Sequence, residues 1–267
     1  MKNNTLRYLT LLLLLLIILI VYLSTIGLET NKFNNQIKNR ISQTNKNIDL
    51  DLKKIKLILD PLNFKIYAKT VGATVFFSKR PIALENIKIQ LSLGSLIKNN
   101  ISSSNIEITT RSILLNDLIK FIRATNNKPE LFILEKIVKK GDVILNLNLN
   151  IDDNGKIKND YEIKGLIKGT SINFLNKAKL QNINFNFNLQ KNNYLLNKIN
   201  FKVEEVNFIS ERLNIKKKKN SFLINGIVGN DQSSLNLNIF KLLNLNSENI
   251  IIDDVKFKTD NKFSLEY

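Results

Sequence analysis

Residues 180–190 read LQNINFNFNLQ, in which Ile183, Phe185, Phe187 and Leu189 alternate with Asn184, Asn186 and Asn188. Successive side chains of a strand point to opposite faces, so this segment has one apolar face and one amide face. The alternation recurs at 143–151 through Val143, Leu145, Leu147 and Leu149, and at 235–239 through Leu235, Leu237 and Ile239. An antiparallel sheet with one apolar face must cover that face or leave it wet. After residue 141 there are about eight alternating segments and almost no amphipathic helix to act as a lid. Two coverings remain. The sheet closes over its own side chains as a sandwich or barrel, or it curls around hydrocarbon. Burial of apolar area is worth roughly 25 cal/mol per Å² with either partner, so the chemistry of the faces does not separate the two.

The amino terminus carries a different signal. No charged residue occurs from Tyr8 to Leu28, and the centre of the run reads LLLLLLIILIV. About 20 apolar residues in helical form cross the hydrocarbon layer of a bilayer. Lys2 and Arg7 precede the run, it is longer than the apolar part of a cleaved signal peptide, and its exit, YLSTIGLET, lacks a small-x-small cleavage site. Residues 1–28 therefore read as an uncleaved signal anchor, with Leu9, Leu13, Leu16, Ile20 and Leu23 in the hydrocarbon. A short positive tail ahead of a long following domain places the tail in the cytoplasm. The expected location is a bacterial inner membrane crossed once, with the carboxyl-terminal part in the periplasm.

Phe33, Ile37 and Ile41 recur at four-residue spacing, so 29–46 reads as an amphipathic connecting helix. Period-two patterning then begins at Ile48 and is broken at Asp60-Pro61. Strands near Phe64, Val75 and Leu84–Leu91, a short helical piece at 93–98, a strand at Ile106 and Ile108, and helices over 112–124 and 129–139 complete an α+β region, 47–140. From Gly141 a β region is expected to run to 267. Strands 142–151 and 156–169 form a hairpin about Asp152-Asp153-Asn154-Gly155. Further strands fall near 181–190, 194–203, 205–215, 221–229, 234–240 and 250–258. The chain ends on NKFSLEY, in a strand with no closing element, which reads as a truncated frame.

Two phrases repeat at irregular spacing. One is apolar-x-x-apolar-x-apolar: Leu84/Ile87/Ile89, Leu180/Ile183/Phe185, Leu196/Ile199/Phe201 and Ile252/Val255/Phe257. The other is Ile-x-Gly followed by two apolar residues, at Ile163/Gly165 and Ile224/Gly226. Glycine within a strand marks a bulge, a bend or a close backbone approach.

Composition removes most catalytic classes. The chain has no Cys and no His, so thiolate chemistry, disulfides, Cys/His zinc sites and Ser-His-Asp or Cys-His catalysis are excluded. No nucleophile elbow or phosphate-binding glycine loop occurs; GLIKGTS at 165–171 has the wrong spacing. Asp152/Asp153 sit in the expected hairpin turn and Asp253/Asp254 at a strand edge or turn, without calcium-loop spacing. The reading is a non-enzyme with no cofactor and no metal. A net charge of +17 favours anionic surfaces. Because the Phe residues follow the core parity and the Lys residues are scattered, nucleic acid is not the expected partner.

The apolar run, the short helix, the strand run broken at Asp60-Pro61, then SKRPIALENIKIQLSLGSLIKNN, IEIT and ILLNDLIKFI together resemble the opening of the AsmA-like superfamily, of the AsmA, TamB and YhdP type. In that family an l-x-x-i-x-i strand leads to a short sLl segment, as Leu84 to Ile97 does here. The Gly165/Gly169 strand and LQNINFNF resemble its β repeats. The resemblance implies a fold that is mainly β with a few helices, one transmembrane helix leading into a long antiparallel, curved sheet or groove. It also implies a role in moving phospholipid between membranes or in outer-membrane maintenance. Lipid-facing residues would be Val143, Leu145, Leu147, Leu149, Ile183, Phe185, Phe187, Leu189, Leu235, Leu237 and Ile239. A membrane-anchored scaffold that recruits an envelope protein through strand edges, its β core self-filled, is the alternative.

Overall fold

The computed structural model describes residues 2–32, 34–35, 37–39, 48–77, 80–94, 105–125, 128–152, 158–174, 178–219, 221–234 and 256–266. The fold is mainly β, as the alternation predicts: among the described residues fifteen strands form one hydrogen-bonded sheet, with every described register antiparallel. The chain divides into two compact units, residues 1–109 with 147–161, and 110–146 with 162–267.

The first unit begins with α1 (Lys2–Thr25), whose segment Leu6–Thr25 has mean hydropathy 2.7 and is long and apolar enough to cross a membrane. Its described side chains are exposed from Leu6 to Leu19, Leu9 at 61%, Leu13 at 58% and Leu16 at 50%. The helix ends where the N–H groups of Ile26 and Gly27 both donate to Tyr22 O (2.9 and 3.1 Å). Gly27 takes the left-handed conformation there, φ 74°. That turn sends the chain into β1 (Leu28–Thr30), paired with β3 (Ile55–Asp60).

The connecting helix expected over 29–46 therefore starts later than predicted. Helical residues are 34–35 and 37–39, while Phe33, Ile41 and the rest of 40–47 lie outside the described residues. The order β1-β3-β4-β6-β7 follows, with β4 at Lys65–Val71, β6 at Arg80–Ser92 and β7 at Asn105–Thr110. Strands β2 (Ile48–Asp51) and β5 (Thr74–Phe77) form a side ladder on β6. Leu50, Ile55, Ala73, Ile82 and Leu84 are the buried apolar residues described in this unit.

The second unit holds β8 (Ile113–Leu114), α2 (Leu115–Thr125), α3 (Pro129–Ile137) and the start of β9 (Val138–Asn150). Pro129 opens α3 at a position where its missing N–H costs nothing. Arg123 and Glu135 tie the two helices with a 2.8 Å ion pair. The sheet then runs β10 (Glu162–Phe174), β11 (Ala178–Gln190), β12 (Asn193–Val203), β13 (Val206–Lys217), β14 (Phe222–Ser234) and β15 (Lys256–Glu266), each strand beside the next. The order stops at β15, so the sheet is open rather than closed into a barrel.

Strand β10 begins at Glu162. Residues 153–157, which hold most of the expected turn and the start of the return strand expected from 156, lie outside the described residues, and Asn159-Asp160 form a turn that Asn150 Nδ2 meets through Asp160 Oδ2 at 3.0 Å. The last described strand covers Lys256–Glu266; residues 250–255 of the strand expected at 250–258, and the strand expected at 234–240 beyond Ser234, lie outside the described residues.

Candidate apolar groove

Directly opposed residues of an antiparallel pair carry their side chains on the same face. The registers of the second unit therefore assemble rungs across six strands. One rung runs Ile163, Leu189, Tyr194, Ile215, Ile224, Leu265, and the next runs Gly165, Phe187, Leu196, Leu213, Gly226, Phe263. This face holds three aromatic pairs: Phe185–Phe187 (6.2 Å between centroids), Tyr194–Phe222 (6.4 Å) and Phe201–Phe208, stacked at 5.4 Å. Ile183, Phe187, Ile199 and Val206 are buried on it, whereas Leu166, Ile209 and Ile227, on the opposite face, are exposed.

In β11 and β12 the apolar-x-x-apolar-x-apolar phrase encodes how the face stays continuous. In an unbroken strand, positions i and i+3 point to opposite sides. Between Leu180 and Ile183 strand β11 carries one residue more than β12, and between Leu196 and Ile199 the surplus is on β12. The inserted residues, Asn182 and Lys198, each take φ 50°. Such β-bulges return the following side chain to the original face and bend the strand. Strand β10 has its own at Gly169, φ 61°. The three neighbouring bulges each bend their strand in the curved sheet.

The two Ile-x-Gly phrases occupy corresponding places, Ile163 and Ile224 in one rung, Gly165 and Gly226 in the next. A Cβ on Gly165 would collide with the Phe187 ring and lie 2.5 Å from Ile144 O; one on Gly226 would collide with Leu213 Cδ2. These glycines exist so that large neighbours can lie flat across the backbone.

Coverage is graded. Phe187 is 8% exposed, Ile163, Leu189, Tyr194, Ile215 and Ile224 are half-buried, and Leu265 at the β15 edge is 56% exposed. Beyond the strands' own neighbours, the packing described in this unit is α2 on α3, α2 on β8 and α3 on β10. Polar groups interrupt the face near the bulges. Buried Asn230 accepts from Thr259 N (3.0 Å) and Oγ1 (2.7 Å) and donates to Asp231 O and Phe257 O.

The opposite face is a layer of amides. Asn184 Nδ2 donates to Asn200 Oδ1 (2.7 Å), and Asn184 Oδ1 accepts from Gly169 N (2.8 Å). Glu162 lies 2.7 Å from Lys164 Nζ and accepts from Asn188 Nδ2 (2.9 Å). The lysine first and then the amide hold its carboxyl below the usual range. A depression of about 560 Å³ lined by Arg212, Asn225, Lys262 and Ser264 also lies on this side, and none of the expected lining residues borders it.

Of those expected residues, Ile183, Phe185, Phe187 and Leu189 lie together on the apolar face. Val143 (buried) and Leu145 (half-buried) belong to the same unit, whereas Leu147 and Leu149 belong to the other. Leu235, Leu237 and Ile239 lie outside the described residues. The residues that sequence reasoning left out, Tyr194, Ile215, Ile224, Phe263 and Leu265, complete the rungs. Their signal was the same alternation, spread over strands poorer in asparagine. Among the described residues no cluster of three or more acidic, Cys or His side chains suited to a metal occurs.

The fold thus defines an open antiparallel sheet with one apolar, half-covered face, in a chain led by a helix of membrane-crossing length. No family model, curated protein or solved structure matches the chain.

Proposed function

We propose that the chain is a single-pass inner-membrane protein of the bacterial envelope. Its β region, in the periplasm, shelters phospholipid acyl chains along the apolar face, in lipid transport between membranes or in outer-membrane maintenance. The single observation that carries this reading is the pair of six-strand rungs, apolar from β10 to β15, half-buried along one row and exposed at Leu265. A face filled only by its own side chains has no use for an apolar row left half in water. The α1 segment supplies an anchor in the lipid source, and the net charge of +17 suits anionic headgroups. The resemblance to AsmA-like proteins in the order of elements points the same way. The test is photo-crosslinking in living cells from residues 185 and 189. Phospholipid adducts there, and none from outward-facing Asn186, support the reading; their absence at both inner positions sinks it.

A second reading rests on β15. This eleven-residue strand ends the sheet order, and a sheet edge accepts an added strand from a partner. Under it the chain is an envelope scaffold. Crosslinks from Leu265 to a protein at full stoichiometry, with no lipid adducts, would favour it.

A further inference from the structure

We propose that the β3–β4 hairpin tip, Pro61 to Phe64, is a second membrane contact that dips into the bilayer interface beside α1. The proposal rests on the reading that α1 spans a bilayer.

Within the first unit the register fixes the direction of the tip. Strand β1 runs antiparallel to β3, with Thr30 opposite Ile55 and Leu28 opposite Leu57. Moving back from Leu28 toward α1 is therefore the same direction as moving forward along β3 toward Asp60. Gly27 continues the register: a Cβ there would stand 3.1 Å from Ile58 Cγ1. Helix α1 packs on β3, and Ile20, Leu23 and Ser24 are half-covered while the helix residues before them are exposed. All three lie inside the apolar segment Leu6–Thr25. The hairpin thus ends alongside the last turns of the membrane helix.

What it presents there is apolar. Leu62 is 91% exposed, the highest value among the exposed large hydrophobic residues, and Phe64 is 71% exposed. Ile26 (56%) and Leu28 (50%), at the helix exit, continue the patch. Phe64 is held with φ 52°, a conformation that disfavours a bulky side chain. The turn that imposes it is built from specific bonds. Asn63 N and Nδ2 donate to the Asp60 carboxylate (3.1 and 2.9 Å), and Leu93 N donates to Phe64 O (2.8 Å). A rigid loop that holds a leucine and a phenylalanine in the open has nothing to gain from water. Next to a membrane helix, the neighbouring solvent for such side chains is the headgroup–acyl boundary. Two attachments, helix and loop, would fix the tilt and rotation of the unit on the membrane, which a lone helix leaves free.

The chain has no cysteine, so single-cysteine variants carry one probe each. The full-length chain is reconstituted in vesicles of phosphatidylethanolamine and phosphatidylglycerol, with an environment-sensitive fluorophore at residue 16, 53, 62 or 64. Lys53 sits before β3, at the end of the hairpin remote from the tip. The Leu62→Cys and Phe64→Cys probes should lose most of their emission to a quencher on the upper acyl chain. Leu16→Cys should answer to a deep quencher and Lys53→Cys to neither. A quenched residue 16 with residues 62 and 64 no more quenched than 53 overturns the hairpin contact and leaves the anchor standing. An unquenched residue 16 overturns the anchor itself, and the hairpin contact with it.

Discussion

The ring of Phe187 lies across the backbone of Gly165 on the neighbouring strand, in the space that a side chain there would fill. Gly226, four strands further along the sheet, is covered in the same way by Leu213. The two contacts differ in what would have to yield. At Gly165 a methyl group also meets the carbonyl oxygen of Ile144 at 2.5 Å, whereas at Gly226 the nearest atom is the flexible end of a leucine and the nearest backbone oxygen, Arg212 O, is 3.1 Å away. Gly165→Ala should therefore cost about 1–3 kcal/mol of stability, and Gly226→Ala distinctly less. Thermal unfolding of the two variants in one detergent checks the order; equal or reversed losses would refute the packing argument.

The bulge residues make an opposite prediction. Lys198 is held at φ 50°, which costs a side chain of this kind roughly 1–2 kcal/mol. Lys198→Gly should raise the melting temperature. Asn182→Gly should raise it less, because asparagine tolerates that conformation. A Lys198→Gly variant no more stable than the parent would show that the bulge is not where the register places it.

Asn230 is a polar residue, 2% exposed, that satisfies four groups at the β14 bulge. Replacement by leucine removes the acceptor of the Thr259 N–H at this buried site, and should cost about 1–3 kcal/mol. Hydrogen exchange at the Thr259 amide, measured beside global denaturation, separates this local loss from general unfolding. Unchanged protection at Thr259 would exclude the proposed role.

Acid should loosen the amide face. The Glu162 carboxyl is lowered from 4.5 by Lys164 and then Asn188, so the folded state favours its ionised form. Its contribution is present above the unfolded value and is lost as the pH falls through the folded one. The melting temperature of the parent should drop on acidification from about pH 6 to about pH 3. Glu162→Gln should drop by less over the same range, and identical acid limbs would assign the loss to other carboxylates.

Much of this organisation is legible in the residues themselves. The alternation in LQNINFNFNLQ places Ile183, Phe185, Phe187 and Leu189 on one face because a strand repeats every two residues, whatever it pairs with. Likewise, the uncharged and largely apolar run from Tyr8 to Ile26 specifies a membrane-length helix from local chemistry alone. Even the bulges were written in the i, i+3, i+5 phrase, although only the register shows that Asn182 and Lys198 are the surplus residues.

Period and polarity are properties of neighbouring residues, so they settle the strands and their faces before any folding takes place. Which strand lies beside which, that Gly165 must be bare because Phe187 crosses it, and that Leu62 and Phe64 end next to α1 depend on contacts between distant parts of the chain. The contact of Asn150 with Asp160 belongs to the same group. Such pairings are selected by the joint packing of all their partners, which no single stretch of the chain contains.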